Sequence, residues 1–519
     1  MGAAFCGAYF TFQGFLMTAL RVLGRCAYSA SMLIVSGESR FYLEQAMDWL
    51  LTDGTGATVQ SGKTTAAGLY LDRLTPDSEY FLTVGDADIR FSTLQCTKAI
   101  DPRDFGADPS AEDNQFAFQA AIDAVPAGGA LIVPKGVFCS GPIFLKSHMT
   151  LHLSEGATLA AISSRDNWEI LPARNGSGRV LGTWEGAPAD SYAGFITAID
   201  SEQLRITGKG TIDGGGDRGD WWSWPKETRN GARRPRTVFL AHCNSVVMAG
   251  VTVRNSPSWT VHPFHCVDTS FSNLSIQNPS ESPNTDGLNP ESCCRVDISA
   301  VHFSVGDDCI AIKAGKRLPD DNSHLAPTSD VTIAHCLMEF GHGAVVLGSE
   351  MSGNITNTRV EHCDFRRTDR GLRIKTRRGR GGRVSDVHLK NVVMDRVPTP
   401  FAINAHYFCD PDGHEEWVQS RALSPVNATT PKIKDITLED VTANNAATAG
   451  AALLGLPESP ITGVSLTNYH VCFDGQASPA VPLMASDVEA VLGVPLLVEH
   501  ATVTTDNFST QTHEDTARC

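Results

Sequence analysis

Three aspartates are spaced along the chain so that they could act together on one substrate. Asp286 is followed 21 residues later by the adjacent pair Asp307 and Asp308. Cleavage of a glycosidic bond needs one carboxylic acid that protonates the leaving oxygen and one carboxylate that activates water. Crowding raises the pKa of at least one carboxyl group in such a cluster, which keeps a proton available near neutral pH. Each aspartate taken alone would equally suit a turn or a calcium site.

A histidine and two cationic residues follow the aspartates. His342 stands between two glycines, which let the backbone approach closely and leave the ring accessible. Arg373 and Lys375 are two residues apart, so in a strand both side chains point to one face. A guanidinium and an ammonium beside the carboxylates would hold the carboxylate of an acidic sugar, with the arginine forming a bidentate pair.

All of these residues follow copies of a sequence repeat. The repeat is an apolar residue, two others, a second apolar residue, one other and a third apolar residue. Its copies begin at Met248, Phe271, Ile298, Ile333, Val360, Leu389, Leu438 and Leu466. Periods of roughly 20–50 residues are typical of solenoids and propellers. Short strand-like runs joined by variable loops favour an all-β fold, a right-handed parallel β-helix whose coils stack their apolar side chains.

Stacked coils would bring the polar residues together. Asp286 and Asp307 are about one coil apart along the chain, so we expect them to lie side by side. The side chains of Asp307 and Asp308 would diverge in an extended strand unless a kink or bulge turned both to one groove. The histidine and the two cations follow the next two coils. The sequence therefore predicts one site to which four successive coils contribute.

The sequence divides into three parts. Residues 1–26 form an uncertain N-terminal segment, residues 27–97 a small β-sandwich, and residues 101–519 the β-helix. Within the sandwich, residues 74–80 resemble the tyrosine corner of fibronectin type III domains. The alternative for this segment is an ordinary β-hairpin with a surface tyrosine.

Two features interrupt the strand pattern of the β-helix. Asp113 or Asn114 is predicted to cap an amphipathic helix that two glycines at positions 128 and 129 end, and this helix would cover the open end of the solenoid. Residues 317–328 and 398–431 are predicted to be inserted loops.

The net charge of −16 limits the partners of the protein. An acidic chain repels nucleic acid and anionic membranes, and the interior of the chain has no stretch of about 18 uncharged apolar residues that would suit a transmembrane helix. An anionic polysaccharide would require a locally basic groove. Residues 366–383 meet this requirement, with nine arginines and lysines and Asp369 as the only acid.

Four of the 14 cysteines directly follow a histidine. These are Cys243, Cys266, Cys336 and Cys363, which we interpret as reduced core residues stacked in the repeat. Zinc binding is the alternative, but the chain has no compact Cys-x-x-Cys pair. The apolar stretch at residues 3–20 has no preceding lysine or arginine, unlike a secretory signal. Either the true start is Met17 or this stretch is an unusual signal, and we expect a cytoplasmic or periplasmic location.

Four motifs in order resemble the polygalacturonases of glycoside hydrolase family 28. They are Asn284-Thr285-Asp286, Gly306-Asp307-Asp308, Gly341-His342-Gly343 and Arg373-Ile374-Lys375, and the resemblance extends from about residue 101 onward. It implies a pectin lyase-like β-helix and inverting hydrolysis of α-1,4-galacturonosidic linkages in polygalacturonate or oligogalacturonides, without a metal or cofactor.

The resemblance also implies a role for each residue. Asp307 would be the general acid, supported by His342, and Asp286 and Asp308 would position and activate the water. The predicted substrate-binding residues are Asn284, Arg373, Lys375 and Tyr407. Trp259 and His262 would pack or shape the groove wall. The disulfide that fungal members have near this site is not expected, because Cys336 fits the coil pattern instead.

Other functions remain open at the level of sequence. A calcium-dependent pectate lyase or a rhamnogalacturonan hydrolase could use the same fold, and a non-enzymatic adhesin would need no carboxylate cluster. The N-terminal domain and the two inserted loops could close one end of the groove. This predicts exo-action, with release of mono- or digalacturonate from the non-reducing end.

Overall fold

The computed structural model describes residues 18–166 and 168–513. The apolar N-terminal stretch lies almost entirely outside these ranges. Within them, no helix has the length and apolar character needed to cross a membrane.

The N-terminal part consists of seven strands. They are β1 (Ala19–Arg25), β2 (Ala30–Val35), β3 (Tyr42–Asp53), β4 (Thr58–Ala66), β5 (Gly68–Leu71), β6 (Glu79–Val84) and β7 (Ala87–Ser92). They form two antiparallel sheets with the orders β1-β2-β5 and β4-β3-β6-β7. The hydroxyl of Tyr80 accepts the N–H of Thr75 at 2.8 Å, which is the geometry of a tyrosine corner.

The predicted start of this domain at residue 27 is wrong. Strand β1 pairs with β2 along its whole length, and Leu20, Val22 and Leu23 pack on the core of the sandwich. The sequence places the boundary too late because these apolar residues continue the apolar stretch that precedes them.

The remaining strands follow in chain order. They are β8 (Ala99–Ile100), β9 (Gly129–Val133), β10 (Gly136–Ser140), β11 (Ile143–Leu145), β12 (Met149–Leu153), β13 (Ala157–Ala161), β14 (Ile170–Leu171), β15 (Thr183–Trp184), β16 (Ala187–Pro188), β17 (Ser191–Tyr192), β18 (Ile196–Ile199), β19 (Glu202–Gly208), β20 (Thr211–Asp213), β21 (Val238–Ala241), β22 (Asn244–Ala249), β23 (Thr252–Arg254), β24 (Val261–Phe264), β25 (Val267–Ser272), β26 (Ser275–Gln277), β27 (Cys294–Ser299), β28 (His302–Ser304), β29 (Asp308–Ile312), β30 (Thr328–Ala334), β31 (Leu337–Phe340), β32 (Gly343–Gly348), β33 (Ile355–Arg366), β34 (Arg370–Lys375), β35 (Arg383–Asp395), β36 (Thr399–Asn404), β37 (Lys432–Ala446), β38 (Ala449–Leu454), β39 (Ile461–Asp474), β40 (Val494–Glu499) and β41 (Ala501–His513).

All of these except β14–β17, which form two antiparallel pairs, build a right-handed parallel β-helix, as the repeat predicted. Most coils give two strands, or one long bent strand, to a sheet of twenty strands. They give a further strand to a second surface, which we call the cleft sheet: β11, β18, β21 and β24, then β29, β32, β34, β36, β38 and β40. Single bridges from Leu288 to Val261 and to Ile310 join its two halves. One continuous apolar core fills the interior of the coils.

The histidines that precede the cysteines lie at the corners of the coils. His242, His265, His335 and His362 all have left-handed backbone conformations, and their rings stack in pairs. Each following cysteine is buried inside the coil and free. Cys309 and Cys336 are also free, so no disulfide joins them.

The helix at the start of the β-helix is shorter than predicted. Helix α1 (Gln115–Ala124) begins after Asp113, whose Oδ1 accepts the N–H of Gln115 at 2.9 Å. It ends before Val125, which is extended because Pro126 follows it. The two glycines predicted to end the helix instead shape the turn into β9. A second helix, α2 (Glu416–Gln419), and two 3₁₀ turns at Pro102–Phe105 and Trp221–Ser223 complete the helical elements of the described ranges.

Two predictions about the groove need correction. Residues 398–431 are not all an insertion, because β36 is a regular strand of the cleft sheet; the inserted part begins at residue 405. The N-terminal sandwich does not close the groove. It packs on a corner of the twenty-stranded sheet, where Tyr70 bonds to Gly208, Asn273 to Ser31, and Arg40 to Asp364.

Candidate active site

The register of the cleft sheet places the predicted residues on neighbouring coils. Asp308 pairs with Gly343, directly after His342, and the bridge between Leu288 and Ile310 sets Asp286 beside Asp308. Arg373 and Lys375 belong to the next strand, β34. All three aspartates, Asn284, Lys375 and Tyr407 line one cleft with an empty volume of about 520 Å³. Four successive coils therefore contribute to one site.

A bend at Gly306 and Asp307 turns both adjacent aspartates toward the cleft. Asp308 is the first residue of β29, whereas Asp307 precedes the strand, and the N–H of Asp308 donates to Oδ1 of Asp307 at 3.0 Å. Gly306 is tightly enclosed, since a Cβ there would lie 2.4 Å from the carbonyl oxygen of Ser282. This is the local kink that the neighbouring aspartates required.

Asp307 and His342 form an ion pair. Nδ1 of His342 lies 3.3 Å from Oδ1 of Asp307. The hydrogen bond with Asp307 raises the pKa of His342 to about 9, although burial opposes this shift. Burial alone would raise the pKa of Asp307, but the contact with His342 and the charge of Lys375 outweigh it and hold that pKa at about 2. The pair therefore carries one proton at neutral pH.

Asp286 is the carboxyl group with the raised pKa. Burial, together with the nearby charge of Asp307, raises the pKa of Asp286 to about 8. Its Oδ2 accepts a hydrogen bond from Nδ2 of Asn289 at 2.7 Å, and Nζ of Lys313 lies 4.0 Å away. In the ligand-free site Asp286 is thus protonated at neutral pH, whereas the general acid implied by the resemblance, Asp307, is ionised.

Asp308 contacts both predicted cations. Nζ of Lys375 donates to its Oδ2 at 2.7 Å, and a guanidinium nitrogen of Arg373 lies 3.6 Å from its Oδ1. Burial opposes the charge of Lys375, but Asp308 raises the pKa of this lysine by more, so the ammonium stays charged. The ring of Tyr407 lies 5.4 Å from Arg373 and 5.3 Å from Lys375, within range of a cation–π interaction.

Asn284 is held in place by Arg234, a residue that the sequence analysis did not predict. Its Oδ1 accepts a hydrogen bond from Arg234 at 2.6 Å. Arg234 is fully buried, and burial lowers its pKa to about 10, so it remains charged at neutral pH. Its Nη1 donates to the backbone carbonyl oxygens of Pro257 and Pro283. No motif marks this residue, because its contacts come from loops far apart in the chain.

Trp259 and His262 differ in their access to the cleft. Trp259 lines the cleft, and its ring stacks on that of Trp184 with 6.4 Å between centroids. His262 is fully buried, its Nε2 lies 3.0 Å from Oε2 of Glu291, and burial lowers its pKa to about 4. His262 is therefore a neutral packing residue beneath the cleft.

The predicted basic patch at residues 366–383 is largely neutralised, which corrects its interpretation as a cationic surface. Three of its arginines are buried in ion pairs with acids from later loops. The pairs are Arg377 with Asp412 at 2.8 Å, Arg378 with Glu458 at 2.6 Å and Arg380 with Asp410 at 2.8 Å. The acids are too distant in sequence to be recognised as partners. Of this segment, Arg373 and Lys375 are the cations that contact Asp308.

Lys313 and Glu350 also line the cleft and were not predicted. If side chains alternated strictly between cleft and core from Asp308 along β29, the side chain of Lys313, the residue directly after this strand, would point to the core. However, Cys309 and Ile310 both belong to the core, and this irregularity shifts the alternation so that Lys313 faces the cleft.

The donor set does not suit calcium. Asp308 already accepts hydrogen bonds from Lys375, and the ammonium of Lys313 lies near Asp286. Across the described ranges, no three His, Cys, Asp or Glu side chains are grouped so that they could hold a metal ion.

An open cleft on a parallel β-helix, with a carboxyl cluster beside fixed cations, defines a polysaccharide-cleaving glycoside hydrolase. The family model described as glycosyl hydrolases family 28 matches residues 129–485, and the chain belongs to this family. A probable polygalacturonase of Vitis vinifera is 32% identical over 388 residues, which are 73% of this chain and 74% of that protein. An endo-polygalacturonase of Pectobacterium parmentieri is 30% identical over 62% of this chain and 76% of its own.

The fold also matches a solved structure. The exopolygalacturonase of Thermotoga maritima superposes with a TM-score of 0.65 at 24% identity, over 80% of this chain and 92% of that one. This similarity concerns the fold, which is the same parallel β-helix.

Proposed function

We propose that this protein hydrolyses α-1,4-galacturonosidic linkages in polygalacturonate or oligogalacturonides with inversion. The observation that carries the proposal is the contact of Asp308 with both Arg373 and Lys375, beside Asp286 and Asp307. A neutral sugar would have no use for two cations at the reacting carboxylates, whereas a galacturonate carboxylate would pair with them. The polygalacturonases among the relatives support the same substrate.

Asp307 and His342 together supply the proton for the leaving oxygen. In the free site this proton resides on His342, as the pKa values of about 9 for His342 and about 2 for Asp307 require. As substrate excludes water from the cleft, an ion pair loses its solvation and the neutral pair becomes favourable. The proton then moves from Nδ1 of His342 to Asp307 and from there to the glycosidic oxygen.

Asp286 and Asp308 hold the attacking water. Protonated Asp286 positions the water by hydrogen bonding, and ionised Asp308 accepts its proton as the new bond to the anomeric carbon forms. Lys375, which donates to Asp308, balances the charge of the base before the transfer. This assignment divides the two roles that the resemblance gave jointly to Asp286 and Asp308.

The cleft is walled by loops, which supports exo-action. The hairpin β15–β16 reaches Lys316, whose N–H donates to the carbonyl oxygen of Gly186 at 2.8 Å. Lys316 also pairs with Asp410 at 2.5 Å, so loops from three distant parts of the chain meet at one side of the cleft. Glu185, which pairs with Lys226 at 3.2 Å, lines the cleft itself. A wall of this kind would accept chain ends and release mono- or digalacturonate.

The decisive experiment is digestion of polygalacturonate with analysis of early products by thin-layer chromatography. We expect mono- or digalacturonate from the start and α-to-β inversion by NMR. An early ladder of mixed oligomers would contradict exo-action, retention would contradict the mechanism, and an unsaturated product absorbing in the ultraviolet would identify a lyase instead.

We further propose a cytoplasmic or periplasmic location, with short oligogalacturonides as the natural substrates and no nucleic-acid or membrane partner. The buried free cysteines of the coils and the acidic net charge of −16 support this proposal. Fractionation of the source cells, with detection of the protein by antibody, tests it. Recovery of the protein from the medium would contradict it.

A further inference from the structure

Lys313 is a buried cation at the cleft that the mechanism above does not use. Its side chain is 5% exposed, and its Nζ donates to Oε2 of Glu350 at 2.9 Å. The same Nζ lies 4.6 Å above the ring centre of Trp259 and 4.0 Å from Oδ2 of Asp286. All four residues line the cleft. Burial opposes the charge of Lys313, but its neighbours, Glu350 foremost, raise its pKa by more.

The ammonium of Lys313 has unused hydrogen-bonding capacity. An ammonium has three N–H donors, and within the described ranges that of Lys313 makes one hydrogen bond, to Glu350. Asp286 at 4.0 Å is beyond hydrogen-bonding distance, and the face of Trp259 is not a strong acceptor. A buried donor without a partner is costly, so these N–H groups suit an acceptor that arrives with the ligand.

Lys313 and Lys375 occupy the same row of the cleft sheet, two strands apart. The pairing of Ile312 with Leu347, which puts Lys313 level with Gly348, and the pairing of Gly348 with Lys375 set this alignment. Adjacent strands lie about 4.8 Å apart, so the two backbone positions are separated by about 10 Å along the β-helix axis. Each lysine approaches a different aspartate, Lys375 at Asp308 and Lys313 at Asp286.

We propose that Lys313, held by Glu350, binds the carboxylate of the sugar that lies across the scissile bond from the one bound by Arg373 and Lys375. The site then recognises a free carboxylate on both sugars, and methyl esterification of either one is discriminated. This inference rests on the proposed hydrolysis of galacturonate linkages, and it adds a requirement that one cationic clamp alone would not impose. The ring of Trp259, whose centre lies 4.6 Å from Nζ of Lys313, also holds the lysine in place.

The test compares two substrates in four proteins. The substrates are trigalacturonate and the same trimer methyl-esterified only on the sugar that becomes the new reducing end on cleavage. The proteins are the wild type, Lys313→Met, Glu350→Gln and the double variant. We expect the wild type to favour the free acid by roughly 10²-fold in kcat/KM, as expected where a charge-assisted contact worth about 3 kcal/mol is lost. Lys313→Met should bring the two substrates within a few-fold of each other.

The other two variants separate recognition from structure. Glu350→Gln keeps Lys313 in place, so the preference for the free acid should remain. The double variant removes both charges together, so it tests the proposal even if Lys313→Met fails to fold with Glu350 left unpaired. Loss of activity on both substrates to the same extent would assign Lys313 to the support of Asp286 and overturn the proposal. Absence of activity in the wild type would instead contradict the proposed function.

Discussion

Asp307 and His342 are joined twice, once through their side chains and once through their backbones. Nδ1 of His342 lies 3.3 Å from Oδ1 of Asp307, and the N–H of His342 donates to the carbonyl oxygen of Asp307 at 2.9 Å. The backbone bond belongs to the stacking of neighbouring coils, so the geometry of the side-chain pair is set by the solenoid itself. The proton source of the proposed reaction is therefore built into the coil register.

Asp307→Asn should abolish the acid function. We expect kcat to fall on the order of 10²–10⁴-fold or more, because an amide cannot protonate the leaving oxygen. The melting temperature should fall as well, because asparagine keeps the shape of the side chain but not its ion pair with His342. Steady-state kinetics on trigalacturonate measure the effect. Full activity in this variant would exclude Asp307 as the general acid.

The same substitution should change the titration of His342. In the wild type its pKa is raised to about 9, with the hydrogen bond to Asp307 as the largest cause. Without that carboxylate the pKa should move down, toward or below the ordinary value of about 6.5. NMR of ¹⁵N-histidine-labelled protein, with His342→Gln to assign the resonance, follows this shift. An unchanged pKa would mean that the pair does not share a proton.

The pair also gives stability a defined pH dependence. The folded pKa of His342 lies above its unfolded value, so its contribution is complete below about pH 6.5 and is lost as pH rises through about 9. The folded pKa of Asp307 lies below its unfolded value, so its contribution is present above about pH 4 and is lost as pH falls through about 2. Denaturant unfolding of wild type and the double variant Asp307→Asn/His342→Gln should differ most between these limits.

Gly306→Ala should damage both stability and activity. The added Cβ would lie 2.4 Å from the carbonyl oxygen of Ser282, so the bend that turns Asp307 to the cleft must shift. Forced overpacking of this kind costs about 1–3 kcal/mol. Gly176→Ala is the matched control, because an added Cβ there has no neighbour within 4 Å. Equal melting temperatures for the two variants would contradict the strain argument.

Asp410→Asn should destabilise the loop wall. The side chain of Asp410 is 7% exposed and pairs with Arg380 at 2.8 Å, so its loss leaves a buried guanidinium without its counter-charge. Removal of one partner of a buried pair costs about 3–5 kcal/mol. Asp412→Asn is the control, since the Asp412 side chain is 42% exposed and its loss should cost no more than about 1 kcal/mol. Chemical denaturation compares the two.

Replacement of residues 184–187 by a short turn should open the cleft. Glu185 lines the cleft, and Gly186 connects the hairpin to Lys316. We expect longer oligomers among the early products, seen by thin-layer chromatography, while the carboxyl cluster stays intact. An equal shortening of the turn between β3 and β4 in the sandwich is the control. Unchanged products in the cleft variant would remove the hairpin from the exo proposal.

Much of the fold was predictable from the repeat because it depends on local periodicity. Inward apolar residues at regular intervals can be buried only by stacking coils, and stacking sets the register that brings Asp286 beside Asp308. The cysteines that follow the corner histidines are also inward residues of this repeat and are buried by the stacking of the coils. The start of the sandwich at β1 was missed because an apolar strand within an apolar stretch has no boundary signal.

The β-helix, the four motifs and their order along the groove follow from the sequence alone. The position of the proton, the neutralisation of the basic segment by Asp410, Asp412 and Glu458, and the orientation of Lys313 toward the cleft become visible in the folded molecule. The difference lies in the range of the interactions. Coil stacking follows a short repeat that is visible in the chain, whereas charge pairing and burial depend on loops that have no period and meet only when the coils are assembled.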